Sequence, residues 1–196
     1  MSQFREDEHI ESVFNEIGYG SRILCDIGAR LQYSNAANLI RKHEFTGVLV
    51  DASKESCAEL KLTFPGMRVV ESIVTPQDVN SLVPEDCWFF SLDIDSYDWF
   101  VWAAMTVRPA LVVVETNPLP IFFAAKPNAA CKDKNGYGMS VSAAIALGHL
   151  KGYDYIGRTE ANAFFVRKEL DCKFTLPPMN EHKGLWCGNL NNVLHG

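Results

Sequence analysis

A chain of 196 residues has the length of one domain and can bury about 70% of its unfolded surface, so no disulfide or structural metal is needed to hold it. Its hydrophobic fraction of 47% and charged fraction of 21% exclude the disordered and membrane classes, and a net charge of −6 opposes binding to duplex nucleic acid. The six cysteines form no CxxC pair, the opening MSQFREDEHIESVF has no apolar signal-peptide stretch, and no run reaches the roughly 18 apolar residues of a membrane span. A cytoplasmic protein with reduced thiols, a small-molecule partner and no membrane partner is the expectation.

Ile10, Val13, Phe14 and Ile17 recur at helical spacing, and Gly18 and Gly20 end that helix. Arg22 to Ile27 reads as the first strand, Ser34 to His43 as a helix, and Gly47 to Val50 as the second strand, ending at Asp51. Lys54 to Phe64 is a helix stopped by Pro65 and Gly66, and Met67 to Val70 a short third strand. Asp86 to Ile94 is an apolar fourth strand, Trp99 to Val107 an aromatic-rich helix, and Ala110 to Val114 a fifth strand ending at Glu115. Thr116 to Gly138 is a loop long enough to cover a site, followed by a helix over Ser140 to Lys151 and strands at Tyr153 to Ile156 and Ala161 to Val166. This order predicts an α/β Rossmann-like domain over residues 1–170, a three-layer sandwich on a mostly parallel sheet, with an irregular tail over 171–196 packed on or near it.

In an open parallel sheet, ligands bind beyond the carboxyl ends of the strands where strand order reverses. Strand one delivers Asp26, Gly28 and Ala29 there, with backbone N–H groups and the following helix, near Asn35, expected to face the crevice. Strand two delivers Asp51 and Ala52, and an acid about twenty residues after the glycine can accept hydrogen bonds from both ribose hydroxyls. Asp51 can instead serve as a cap for the helix that follows. The loop Gly28-Ala-Arg-Leu-Gln-Tyr-Ser-Asn35 lacks GxGxxG, so a phosphate-free nucleoside such as S-adenosylmethionine suits it better than a dinucleotide.

A second cluster is SLDIDSYDW. Asp95 or Ser96 can cap the next helix and Asp98 can favour its N-terminal dipole, whereas Asp93 sits where a cofactor's reactive end would reach. Asp93, Asp95 and Glu115 together offer an oxygen-ligand set for Mg²⁺, with no ligand spacing that singles that ion out. The five histidines form no HxxH or HxxxH pair, so zinc and a histidine base lack support, as does a serine nucleophile. Lys126, Lys132 and Lys134 read as a solvated loop. Trp99, Trp102, Phe122 and Phe123 read first as packing and second as a homo-oligomer interface.

The segments CDIGARLQYSNAANLI, GVLVDAS, FFSLDIDSYDWFVWAAM with RPALVVVETNP, and GMSVSAAIALGHLKGYDYIGRTEANAFFVRKEL together resemble FkbM-like, class I S-adenosylmethionine-dependent methyltransferases over about Ile23 to Leu170. The resemblance implies a seven-stranded sheet whose last strand, Ala161 to Val166, inserts antiparallel beside the fifth. It implies that Asp26, Gly28 and Ala29 approach the methionine portion of the cofactor, Asp51 the ribose and Asp93 the transferred methyl. Arg30, Leu31 and Gln32 depart from the family's more glycine-rich loop and are expected to narrow the pocket. The leading reading is methylation of an oxygen, with nitrogen second, on a small molecule, sugar or modified nucleotide. Asp95, Glu115, Asn117, Tyr137 and Lys126 are the candidate substrate contacts. The alternatives are a noncatalytic Rossmann-like module, its crevice filled by Arg30 or Leu31, and a Mg²⁺-dependent enzyme using the carboxylate cluster.

Overall fold

The computed structural model describes residues 5–32, 34–95, 97–117 and 138–177. Helix α1 (Glu6–Ile17) carries three acids in its first turn, where they favour the helix dipole, and buries Ile10, Val13 and Phe14 at i, i+3 and i+4. The chain then alternates through β1 (Ile23–Ile27), α2 (Ala37–His43), β2 (Thr46–Asp51), α3 (Lys54–Thr63), β3 (Arg68–Glu71), α4 (Val79–Leu82) and β4 (Phe89–Leu92). It continues with α5 (Asp98–Ala104), β5 (Leu111–Asn117), β6 (Met139–Ser140), α6 (Val141–Leu150), β7 (Tyr153–Arg158) and β8 (Asn162–Arg167).

The sheet runs in the order β3-β2-β1-β4-β5-β8-β7, with the two-residue β6 pairing alongside β5. Strands β3, β2, β1, β4 and β5 are parallel to their neighbours, and β8 enters antiparallel between β5 and β7. The seven-strand path with an antiparallel last strand is therefore as expected. Strand β6 and the single-turn α4 are additions that the sequence pattern did not carry.

The continuous apolar runs follow from burial on both faces. Cys25, Ile27, Phe90, Leu92, Val112, Val114, Ala163 and Phe165 point into one core with side chains of α4, α5 and α6. Leu24, Phe89, Leu111, Val113, Phe164 and Val166, their alternates, point into the other with α1, α2 and α3. Trp102 is fully buried and Trp99 packs beside the same core, so these two indoles serve packing; Phe122 and Phe123 lie outside the described residues.

Strand order reverses between β1 and β4, which opens a crevice beyond the carboxyl ends of the strands. Buried Glu6 accepts hydrogen bonds from Thr159 Oγ1 at 2.9 Å and Asn162 Nδ2 at 3.2 Å, fastening α1 to the β7–β8 hairpin. The described start of the tail also packs on the domain: Leu176 is buried and its N–H donates to the Ile156 carbonyl at 2.7 Å. Among the described residues, no helix is long and apolar enough to cross a membrane.

Candidate functional site

The crevice holds a cavity of about 630 Å³, within the usual range for small-molecule sites. It brings together Asp26, Gly28, Asn35, Asp51 and Ala52 from the ends of β1 and β2. Asp93, Asp95 and Glu115 reach it from β4 and β5. Ala29 is not among the lining residues: its side chain is fully buried against the α1–α3 core. Asn117 lies on β5 beyond Glu115, in register with Ser140 of β6, and does not line the cavity. Tyr137 and Lys126 fall outside the described residues.

The β1 loop differs from expectation in its backbone. The N–H groups of Gly28 and Ala29 both donate to the Val50 carbonyl, at 2.8 and 3.0 Å, and that of Arg30 donates to the Gly28 carbonyl at 2.9 Å. These three donors are spent within the protein, two of them on β2, and are not free to cradle a pyrophosphate. Gly28 is required on two counts: its φ is +86°, and a Cβ would lie 1.7 Å from the Asp93 backbone oxygen. The glycine thus lets the β1 and β4 turns touch.

Asp26 is buried beneath the cavity and accepts a hydrogen bond from Ser34 Oγ at 2.8 Å. Burial pushes its carboxyl up to about 6, against the opposing hydrogen bonds of Ser34 and Ser91. Asn35 Nδ2 donates to Ser91 Oγ at 3.1 Å, which ties the β1 loop to β4. Asp51 is 6% exposed; its Oδ1 accepts from the Ser53 N–H at 2.7 Å and its Oδ2 faces Arg30 Nε at 4.0 Å. The cap of α3 is Ser53, whose Oγ accepts from the Ser56 N–H, so Asp51 supports that turn without being the cap itself.

Across the cavity the acids face one another. The carboxylate oxygens of Asp93, Asp95 and Glu115 lie within 4.8 Å of each other, close enough to share a cation. Asp93 opens onto the cavity, yet the protein around it raises its carboxyl, with the charge of Asp95 adding to the effect. Glu115 is pushed up to about 10, first by burial and then by Asp93, Asp98 and Asp95. Burial and the neighbouring acids thus favour the protonated form of Glu115, which lessens its repulsion from Asp93. Its Oε2 is buried without a partner among the described residues.

The N-cap of α5 is Tyr97, with no side-chain cap, whereas Asp98 stands in the first turn as expected. Asp95 adopts φ +60°, a left-handed conformation, and directs its carboxylate to the acidic group. Asp98 is fully buried at the first position of α5 and accepts from the Ile94 N–H at 2.9 Å. Ser96 lies outside the described residues.

Several lining residues escaped the sequence reading. Ser34, Ser72 and Ser91 add hydroxyls, Ile73 stands 79% exposed at the rim after β3, and Tyr97 is 46% exposed beside Asp95. A serine inside the apolar run FFSL was the one signal that pointed to Ser91.

No family model matches the chain, and no curated protein matches it in sequence. Solved structures do match its fold. The 1,6-didemethyltoxoflavin N1-methyltransferase of Burkholderia thailandensis, determined with 1,6-didemethyltoxoflavin and S-adenosylhomocysteine, superposes with a TM-score of 0.56 at 10% identity, over 83% of this chain and 77% of that one. Magnesium protoporphyrin IX methyltransferase from Synechocystis, with bound S-adenosylhomocysteine, gives 0.56 at 9% identity over 83% of this chain and 81% of that one. Mitomycin 7-O-methyltransferase gives 0.53 at 14% identity over 83% of this chain and 52% of that one. The chain has the Rossmann-like fold of class I methyltransferases.

Proposed function

We propose that this chain is an S-adenosylmethionine-dependent methyltransferase of the FkbM-like kind. Its acceptor is an oxygen, with nitrogen as second choice, on a small molecule, sugar or modified nucleotide. The observation that carries the reading is one cavity at the strand-order switch, with Asp51 on one side, the carboxyl group of Asp93 on the other and the N–H groups of Gly28, Ala29 and Arg30 already bonded within the protein. Three structures of the same fold whose names describe methyltransferases support it, two of them with bound S-adenosylhomocysteine.

The residues fit a nucleoside sulfonium without phosphate. Asp51 would accept from the ribose hydroxyls, while Ile73 and Val74 offer the base an apolar wall. Asp93 would orient the reacting end, and the neighbouring acids favour positive charge there. The cofactor, when bound, supplies an electrophilic methyl group. Asp95 and Glu115 would hold hydroxyl or ammonium donors of the acceptor, and Tyr97 presents an aromatic face beside them. Displacement of this kind depends mainly on alignment and exclusion of water, so a cavity with no histidine among its described lining residues is compatible with it.

The noncatalytic alternative requires a crevice filled by Arg30 or Leu31. Leu31 packs toward the α1–α3 core and Arg30 is 64% exposed at the cavity wall, which favours the binding reading. Calorimetry with S-adenosylmethionine and S-adenosylhomocysteine tests it: binding is expected, and no heat with either at millimolar concentration overturns it. Asp51→Ala should weaken both ligands by about tenfold or more, the usual effect of losing a hydrogen bond to a charged group. Unchanged affinity would remove the ribose role.

A further inference from the structure

Five carboxyl side chains line the cavity, and Arg30 is the one cationic side chain among the described lining residues. Its Nε lies 4.0 Å from Asp51 Oδ2, and its charge also acts on Asp93 across the loop. The guanidinium charge therefore acts on both acids that would hold opposite parts of the cofactor. An ion pair this long, with an exposed guanidinium, is weak and readily exchanged.

The amino-acid end of the cofactor is a zwitterion. The acids of the cavity suit its ammonium group, but its carboxylate needs donors. At the start of that loop the N–H groups of Gly28, Ala29 and Arg30 are already bonded within the protein and cannot serve it. A guanidinium binds a carboxylate through two parallel N–H groups, a geometry that lysine cannot reproduce.

Resting on the cofactor reading above, we propose that Arg30 is a specificity-determining residue that exchanges partners: it pairs with Asp51 in the free protein and with the cofactor's carboxylate in the complex. Releasing Asp51 makes it available to the ribose as the carboxylate takes its place on the guanidinium. The departure from the family's glycine-rich loop then selects for a carboxylate-bearing nucleoside.

The test compares S-adenosylmethionine with decarboxylated S-adenosylmethionine, which differs by the carboxylate alone, by calorimetry on the wild type, Arg30→Ala and Arg30→Lys. The wild type should prefer the carboxylated ligand by about tenfold or more. Arg30→Ala should erase that preference without weakening the decarboxylated ligand, and Arg30→Lys should restore part of it. A preference that survives in Arg30→Ala, no preference in the wild type, or equal loss of both ligands in Arg30→Ala each overturns the proposal while leaving the cofactor site standing. Binding of neither ligand by the wild type overturns both readings.

Discussion

The ends of β1 and β2 and the ends of β4 and β5 treat their acids in opposite ways. On the first side each carboxylate has its own donor: Asp26 has Ser34 Oγ, and Asp51 has the Ser53 N–H and the nearby Arg30. On the second side Asp93, Asp95 and Glu115 face one another, and burial with that mutual repulsion raises the carboxyl of Glu115. The first side is arranged before a ligand arrives. The second keeps unspent repulsion that a donor or a positive centre would relieve.

The largest expected effect comes from the place where the two sides meet. Gly28→Ala puts a methyl group against the Asp93 backbone oxygen at a φ that disfavours side chains. Urea unfolding should show a loss of more than about 3 kcal/mol; a loss under about 1 kcal/mol would mean that the two turns are free to part. Next comes Asp26→Asn. The folded Asp26 titrates at about 6 against an unfolded value near 3.8, so its contribution to stability is full below the unfolded value and is lost as pH rises through about 6. The variant should match the wild type near pH 4 and exceed it by about 3 kcal/mol at pH 7.5, a rise of several degrees in Tm. Coincident melting curves at both pH values would show that Asp26 is better solvated than its burial implies.

A gain that grows with pH is expected on the opposite side. The raised carboxyl of Glu115 keeps its proton when folded, whereas the unfolded chain gives it up above about 4.5, so stability falls as pH climbs through neutrality. Glu115→Gln removes that slope, so its advantage over the wild type should widen steadily as pH rises toward 8, read by thermal melts across pH. Destabilisation at pH 8 would mean that the Asp93–Glu115 pair is tighter than the repulsion around it.

Much of the fold was legible because its strands announce themselves. GVLV and ALVVV are too apolar and too short for anything but strands buried on both faces, and the acids at their ends mark the crevice. The insertion of β8 beside β5 came from resemblance, since apolar periodicity says nothing about neighbours. Helix α4 is four residues long and β6 two, below any period that a pattern could reveal. At the site, Asp26, Asp51, Asp93, Asp95 and Glu115 were readable as residues at strand ends, but their partners were not. Ser34 meets Asp26 across a turn and Asn35 meets Ser91 across 56 positions, contacts that tertiary folding alone creates. Arg30 was expected to narrow the pocket; its reach toward Asp51 depends on a loop path fixed by three internal backbone bonds.

The position of β8 governs how the chain can acquire its structure. Strand β5 lies between β4 and β8, and β8 begins only at Asn162. Until that segment has left the ribosome, LVVVE presents an open, uncharged-to-weakly-charged edge of the kind that recruits strands from other chains. Pairing β5 with β8 closes a gap of about fifty residues, so the middle of the sheet depends on a late, distant contact and its formation should be slow. A product cut short before Asn162 would keep every acid of the crevice and still leave one edge of β5 open.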